Sequence, residues 1–255
     1  MAQFLERHHP VTRTKTLLVA PVVFLGVFFV VPVANTFLRY FRFSEFSNAL
    51  SNESLRGVAW FSLWQAAIST LLTLVIALPA TWALSRYTFL GVRLVRGLLT
   101  APFVLPAVVV AAGVLAITDS RGVVPILWAH VVFNVSVVLR IAGPRWSMAN
   151  TRLEHAAATL GARPSRTFSL VVWPQISDAV ISAATLVFIY CFTSFGVIAI
   201  LGGVSRRTIE SEIFTQAVRL GDTSTATALA VLQAIIIGAV LFLTRHNSRS
   251  LSISL

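Results

Sequence analysis

No charged side chain occurs between Thr16 and Leu38, nor between Gly57 and Ser85. A helix of about 20 apolar residues crosses a hydrocarbon core of ~30 Å, and both runs are longer than that. In lipid every backbone N–H and C=O needs a partner within the protein, so such runs cross as helices. Shorter apolar blocks follow at about 98–118, 123–140, 179–201 and 223–244. With the first two, at about 16–38 and 58–85, they predict an all-α transmembrane domain of six spans over residues 16–244. A polar tail (1–15) precedes it and another (245–255) follows. Composition agrees, with 56% hydrophobic and 11% charged residues, where globular chains carry about 25% charged. The Thr16–Leu38 run is too long for a signal-peptide core and lacks an A-x-A cleavage site, so it reads as a retained span.

Finer signals sit inside this frame. Ala66, Thr70, Thr73 and Ala77 place small side chains on one stripe of the second span, which suits close helix approach in lipid. Pro79 is expected to kink the end of that span, and Pro102 and Pro106 to bend the first half of the third. The fourth span reads as the shortest and most polar, with His130 and Asn134 on one face. Gly202 and Gly203 end the fifth. Thr208 caps an amphipathic helix that Gly221 ends, and Asp222 caps the sixth span. The single Cys191 excludes an internal disulfide and reads as a packed thiol.

Charge sets the expected orientation. With the N-terminus inside, the cytoplasmic segments carry 13 Lys and Arg residues and the outer segments 7. The positive-inside rule then puts both termini in the cytoplasm. The net charge of +11 is thus topological, and it faces lipid rather than nucleic acid.

Catalytic chemistry is largely excluded. Lys15 is the only lysine and no glycine-rich loop precedes it, so the chain cannot build a P-loop. His8, His9, His130, His155 and His246 form no H-E-x-x-H pair. An intramembrane serine-type hydrolase is the enzyme alternative, with His130 as base and Ser194 as nucleophile, but neither has nucleophile-elbow surroundings. His130 reads either as an interhelical hydrogen bond or as a group lining a path through the membrane. Asn134 and Gln65 carry the same two readings.

The longest stretch without a membrane-length block is the loop 143–175. Thr151 and Glu154 have capping-box spacing, which predicts a helix start at Thr151. Gly161 stands where that helix needs a left-handed terminating residue, Pro164 opens a second helix, and Pro174 is expected to end it.

This loop resembles the cytoplasmic signature of binding-protein-dependent ABC importer permeases: E-A-A, three residues, Gly, nine residues, I-x-L-P. Ala156, Ala157, Gly161 and Pro174 match, Val171 and Trp173 stand for the Ile and Leu, and His155 occupies the usual Glu position. WQAAISTLL, HVVFN, FTSFGVIAILGG and TIESEIFTQA resemble the thiamine and ferric iron permeases of that superfamily. The resemblance implies the six-span type I importer fold. It also implies a multi-pass permease of the bacterial inner membrane, forming half of a pathway for a small solute, thiamine or ferric iron. ATP would be used by separate ATPase subunits docked on Thr151, Glu154, His155, Ala156, Ala157, Gly161 and Pro174, and this chain would bind no cofactor. A second permease copy or homologue and an extracytoplasmic binding protein are the other implied partners. Permeases of this group are often double-length, so a single half's length is a departure.

Overall fold

The computed structural model describes residues 19–203 and 206–253, with side chains as far as Arg245. The tail cations Arg7, Arg13 and Lys15, the start of the first span, and the side chains of His246 and Arg249 lie outside the described residues. All regular structure among the described residues is helical: α1 (Val19–Tyr40), α2 (Phe43–Ser51), α3 (Glu53–Arg86), α4 (Val92–Val104), α5 (Ala107–Thr118), α6 (Val123–Met148), α7 (Thr151–Thr159), α8 (Pro164–Phe192), α9 (Phe195–Leu201), α10 (Ile209–Phe214, continued by a π turn at Thr215–Arg219) and α11 (Thr223–Ile253).

Among the described residues five helices, α1, α3, α6, α8 and α11, are long and apolar enough to cross a membrane. The sixth candidate span is α4 with α5, bent by 105°. The turn falls at Leu105 and Pro106, whose extended backbone (ψ 145° and 137°) separates the two helices. The expected bend in the third span is therefore a full break.

α3, α6 and α8 form the centre. α6 is the most enclosed span, with 61% of its apolar stretch buried, and α1 the least, at 0%. The small stripe of α3 packs as its spacing predicts: Ala66, Thr73 and Ala77 are fully buried, and α3 packs most extensively against α6. The hydroxyls of Thr70, Thr73 and Thr81 donate to carbonyls four residues back, so the stripe brings no unpaired donor into the interior. The C-terminal part of α1, Val31–Tyr40, packs against α11.

Several boundaries differ from the sequence expectation. The fourth span is not the shortest: α6 runs on through Pro144 to Met148 and takes in the first residues of the predicted loop. The fifth span is Pro164–Phe192 rather than 179–201, and Leu201 belongs to a separate short helix, α9. Pro174 does not end the second loop helix. A π turn at Phe168–Val172 precedes it, in which the Trp173 N–H reaches the Phe168 carbonyl five residues back. That wider turn accommodates a residue with no N–H, and the helix continues. α3 runs on past Pro79, and α11 continues beyond Thr244 into the predicted tail.

The connections on either side of α10 behave as expected. Thr208 caps α10 in a reciprocal box with Ser211, and Gly221 takes a positive φ of 71°. Asp222 accepts from the Thr225 N–H at 3.0 Å and from its hydroxyl at 2.7 Å, which hold its carboxyl below the usual range.

Candidate functional site

Two sites emerge, one at the loop end of the bundle and one inside it. α7 starts one residue earlier in register than the sequence suggests. Asn150 is the N-cap, accepting from the Arg152 N–H at 3.0 Å, and Thr151 is the first helical residue. Glu154 is therefore no capping partner. It pairs instead with Arg86 at the end of α3. At 34 residues α3 is about 51 Å long, well beyond the hydrocarbon thickness, and this length lets Arg86 reach the loop.

The other end of α7 closes as predicted. Gly161 has φ 76°, its N–H reaches the Ala158 carbonyl at 2.9 Å, and the Ala162 N–H reaches Ala157 at 3.0 Å. These two bonds make a Schellman motif with Gly161 in the left-handed position. Gln175 ties the loop's two ends together: its Oε1 accepts from the Asn150 N–H at 2.8 Å while its Nε2 donates to Val171 at 2.7 Å. No residue of α7 is buried, and His155, Ala156, Leu153 and Leu160 are exposed. Pro174 sits in the first turn of the α helix that resumes after the π turn.

The interior site lies where α3, α6 and α8 cross. Gln65 donates to the Cys191 carbonyl at 3.0 Å, and Asn134 donates to the His130 carbonyl at 2.9 Å and to Cys191 Sγ at 3.4 Å. His130 Nδ1 lies 3.0 Å from the Ser69 hydroxyl. Gln65, His130 and Asn134 are all buried. Gln65 Oε1, His130 Nε2 and Asn134 Oδ1 have no protein partner. His130 and Asn134 border a cleft of about 380 Å³ walled by Phe103, Phe133, Tyr190 and Phe195, whereas Gln65 does not reach it. The cleft carries no charged side chain.

Ser194 borders the same cleft, but the hydrogen-bond partner of His130 is the fully buried Ser69. No carboxylate orients the imidazole through Nε2. A nucleophile–base–acid relay is not assembled, and the hydrolase alternative gains no support.

Sequence reading missed Arg86, Asn150, Gln175 and Ser69. Asn150 was legible, since Asn is a preferred N-cap and stands directly before Thr151. The other three act across 25 to 68 residues, which no local pattern reports.

No family model matches the chain. It is 29% identical over 215 residues to the thiamine transport system permease protein ThiP of Salmonella typhimurium, covering 76% of this chain and 40% of that one. It is 30% identical over 213 residues to the ThiP of Brucella abortus, covering 75% of this chain and 39% of that one. The chain thus spans about 40% of the length of these relatives. The putrescine transport system permease protein PotI of Escherichia coli is 27% identical, with 76% of this chain and 72% of that one aligned. Among solved structures, a bacterial ABC transporter that imports alginate superimposes with a TM-score of 0.73 at 15% identity, over 93% of this chain and 95% of that one. The MetNI methionine ABC transporter superimposes with a TM-score of 0.62 at 20% identity, over 77% and 95%.

Proposed function

For a chain that is similar in sequence to ABC importer permeases and has their type I fold, we propose the role of permease subunit in an ATP-driven importer of thiamine. Separate ATPase subunits dock on α7 and the Gly161 turn. A second permease copy or a homologous permease completes the pathway, and a binding protein delivers the solute from outside. Both termini face the cytoplasm.

The observation that carries this reading is the state of the loop. α7 projects from the bundle with Leu153 and Leu160 half or more exposed, at 50% and 88%. It is nevertheless anchored at defined points, by Glu154 on Arg86 of α3 and by Asn150 on Gln175 of α8. An exposed helix held to two central spans passes a push on to both of them. α3 also carries Ser69, hydrogen-bonded to His130 at the cleft, and α8 carries Cys191, whose Sγ accepts from Asn134 there. Motion of the loop therefore reaches the side chains bordering the candidate path, which is what alternating access requires.

Thiamine is favoured over ferric iron on two grounds. The relatives named above include thiamine permeases. The cleft offers aromatic faces, an imidazole and an amide but no carboxylate, a lining suited to an organic ring and poor for a hard trivalent ion that prefers oxygen ligands.

Uptake of labelled thiamine by cells expressing the full importer tests this. Unlabelled thiamine should compete, while ferric citrate and putrescine should not. Competition by putrescine alone would replace the substrate assignment, and loss of uptake in a strain without the ATPase subunit should be complete.

A further inference from the structure

A second cleft, of about 260 Å³, opens at the loop end of the bundle between α3, α4 and α6. Its walls include Leu84 and Leu139, and its polar groups are Ser85, Thr100, Ser147, Arg96 and Arg140. The hydroxyls of Ser85 and Ser147 both donate to the Gly143 carbonyl, at 3.2 and 3.1 Å, so they stiffen the wall. The two guanidinium groups are held in different ways. Arg96 Nη2 donates to the Leu84 carbonyl at 3.0 Å, near the C-terminal end of α3. Arg140 lies over the Phe103 ring, 5.1 Å from its centroid.

The charge here is unbalanced. Among the described residues the ion pairs are Arg86–Glu154 and Arg207–Glu212, so neither Arg96 nor Arg140 has a carboxylate partner. Glu154, the acid at this end of α7, is taken by Arg86. A helix C-terminus disfavours anions, but the carbonyl of Leu84, which lines the cleft, is covered by Arg96. Arg96 keeps four of its five donors after that bond, and Arg140 keeps all five.

We propose that this cleft binds a phosphate group, supplied by the headgroup of an anionic phospholipid in the leaflet on the loop side. Basic pockets between spans at this level recognise such headgroups. Two guanidinium forks match phosphate oxygens, and Leu84 and Leu139 give the lipid an apolar wall beside the charge. Holding a lipid there ties α4, the first half of the broken span, to the ends of α3 and α6.

The test uses the full chain purified in a mixture of phosphatidylglycerol and phosphatidylcholine, with retained lipid read by native mass spectrometry. Wild type should retain phosphatidylglycerol selectively. Arg96→Gln and Arg140→Gln should each lower that retention about fivefold, the weight of one basic group at a membrane surface. Arg145→Gln removes a cation from the same end of α6 that does not line the cleft, and it should leave retention unchanged. Arg140→Lys keeps the charge but loses the planar fork, so its retention should fall between wild type and Arg140→Gln, which separates charge from folding damage. Equal retention of the two lipids, or equal loss in Arg145→Gln, would overturn the site. Inorganic phosphate at millimolar concentration decides the source. Bound lipid that survives it supports a headgroup site, whereas complete displacement means a free-anion site and overturns the lipid assignment.

Discussion

Gly161 was legible from the sequence because one backbone conformation decides it. Its φ of 76° is open to glycine and costly for a β-branched residue. Nothing lies within 4 Å of a Cβ built there, so the cost of Gly161→Val is conformational rather than steric. A penalty of about 1–2 kcal/mol predicts about a tenfold fall in thiamine uptake, with membrane insertion unchanged on immunoblot. Glu154 was not legible, because its partner Arg86 lies 68 residues away. Either Glu154→Arg or Arg86→Glu alone should weaken the stimulation of ATP hydrolysis by the binding protein in the assembled complex. The double exchange should restore it, and additive losses would show that the pair is not what couples them. His155 stands where the ABC importer permease signature has Glu, and it is exposed on α7. His155→Glu and His155→Ala should both give ATPase stimulation equal to wild type.

At the scale of elements, periodicity and apolar length revealed which segments are helical, and Pro106 marked the bend in the third span, but the other breaks and continuations were not legible. Pro174 was read as a stop, and the π turn before it converts it into a residue inside a continuous helix. The break after Phe192 has neither proline nor glycine at its two hinge residues, Thr193 and Ser194, so no local signal marks it. What that break achieves is visible in packing: α9 turns against α5. A Cβ on Gly196 would lie 3.0 Å from Val108 Cγ2, and one on Gly202 would lie 2.5 Å from the Arg206 carbonyl oxygen. Backbone cannot yield as a methyl group can, so Gly202→Ala should destabilise more than Gly196→Ala. The expected cost is about 1–3 kcal/mol for the first, read as a lowered thermal midpoint in detergent. Gly57→Ala, with nothing within 4 Å, should leave the midpoint unchanged or raise it.

At the scale of the whole molecule the open issue is the 105° bend between α4 and α5, since a bent pair can either cross a membrane or turn back within it. Contacts at the loop end decide between these. Arg86 closes α3, and it pairs with Glu154, which follows α6. Arg96, near the start of α4, bonds Leu84 at that same end. The start of α4 and the end of α6 therefore lie together. α6 is 26 residues long, about 39 Å, so its start at Val123 lies at the opposite face. The chain must pass from one face to the other between Val92 and Val123, so α4 and α5 together make one broken span. The charge asymmetry of 13 against 7 then has a topology to act on, and the positive-inside rule predicts the loop inside. After replacement of Cys191 by alanine, Ala158→Cys should resist an impermeant thiol reagent in intact cells, and Ser120→Cys, in the exposed turn before α6, should react. Labelling of both positions from the same side would mean that α4 and α5 turn back. Labelling with the two sides exchanged would keep the broken span but reverse the orientation, leaving α7 out of reach of any cytoplasmic ATPase.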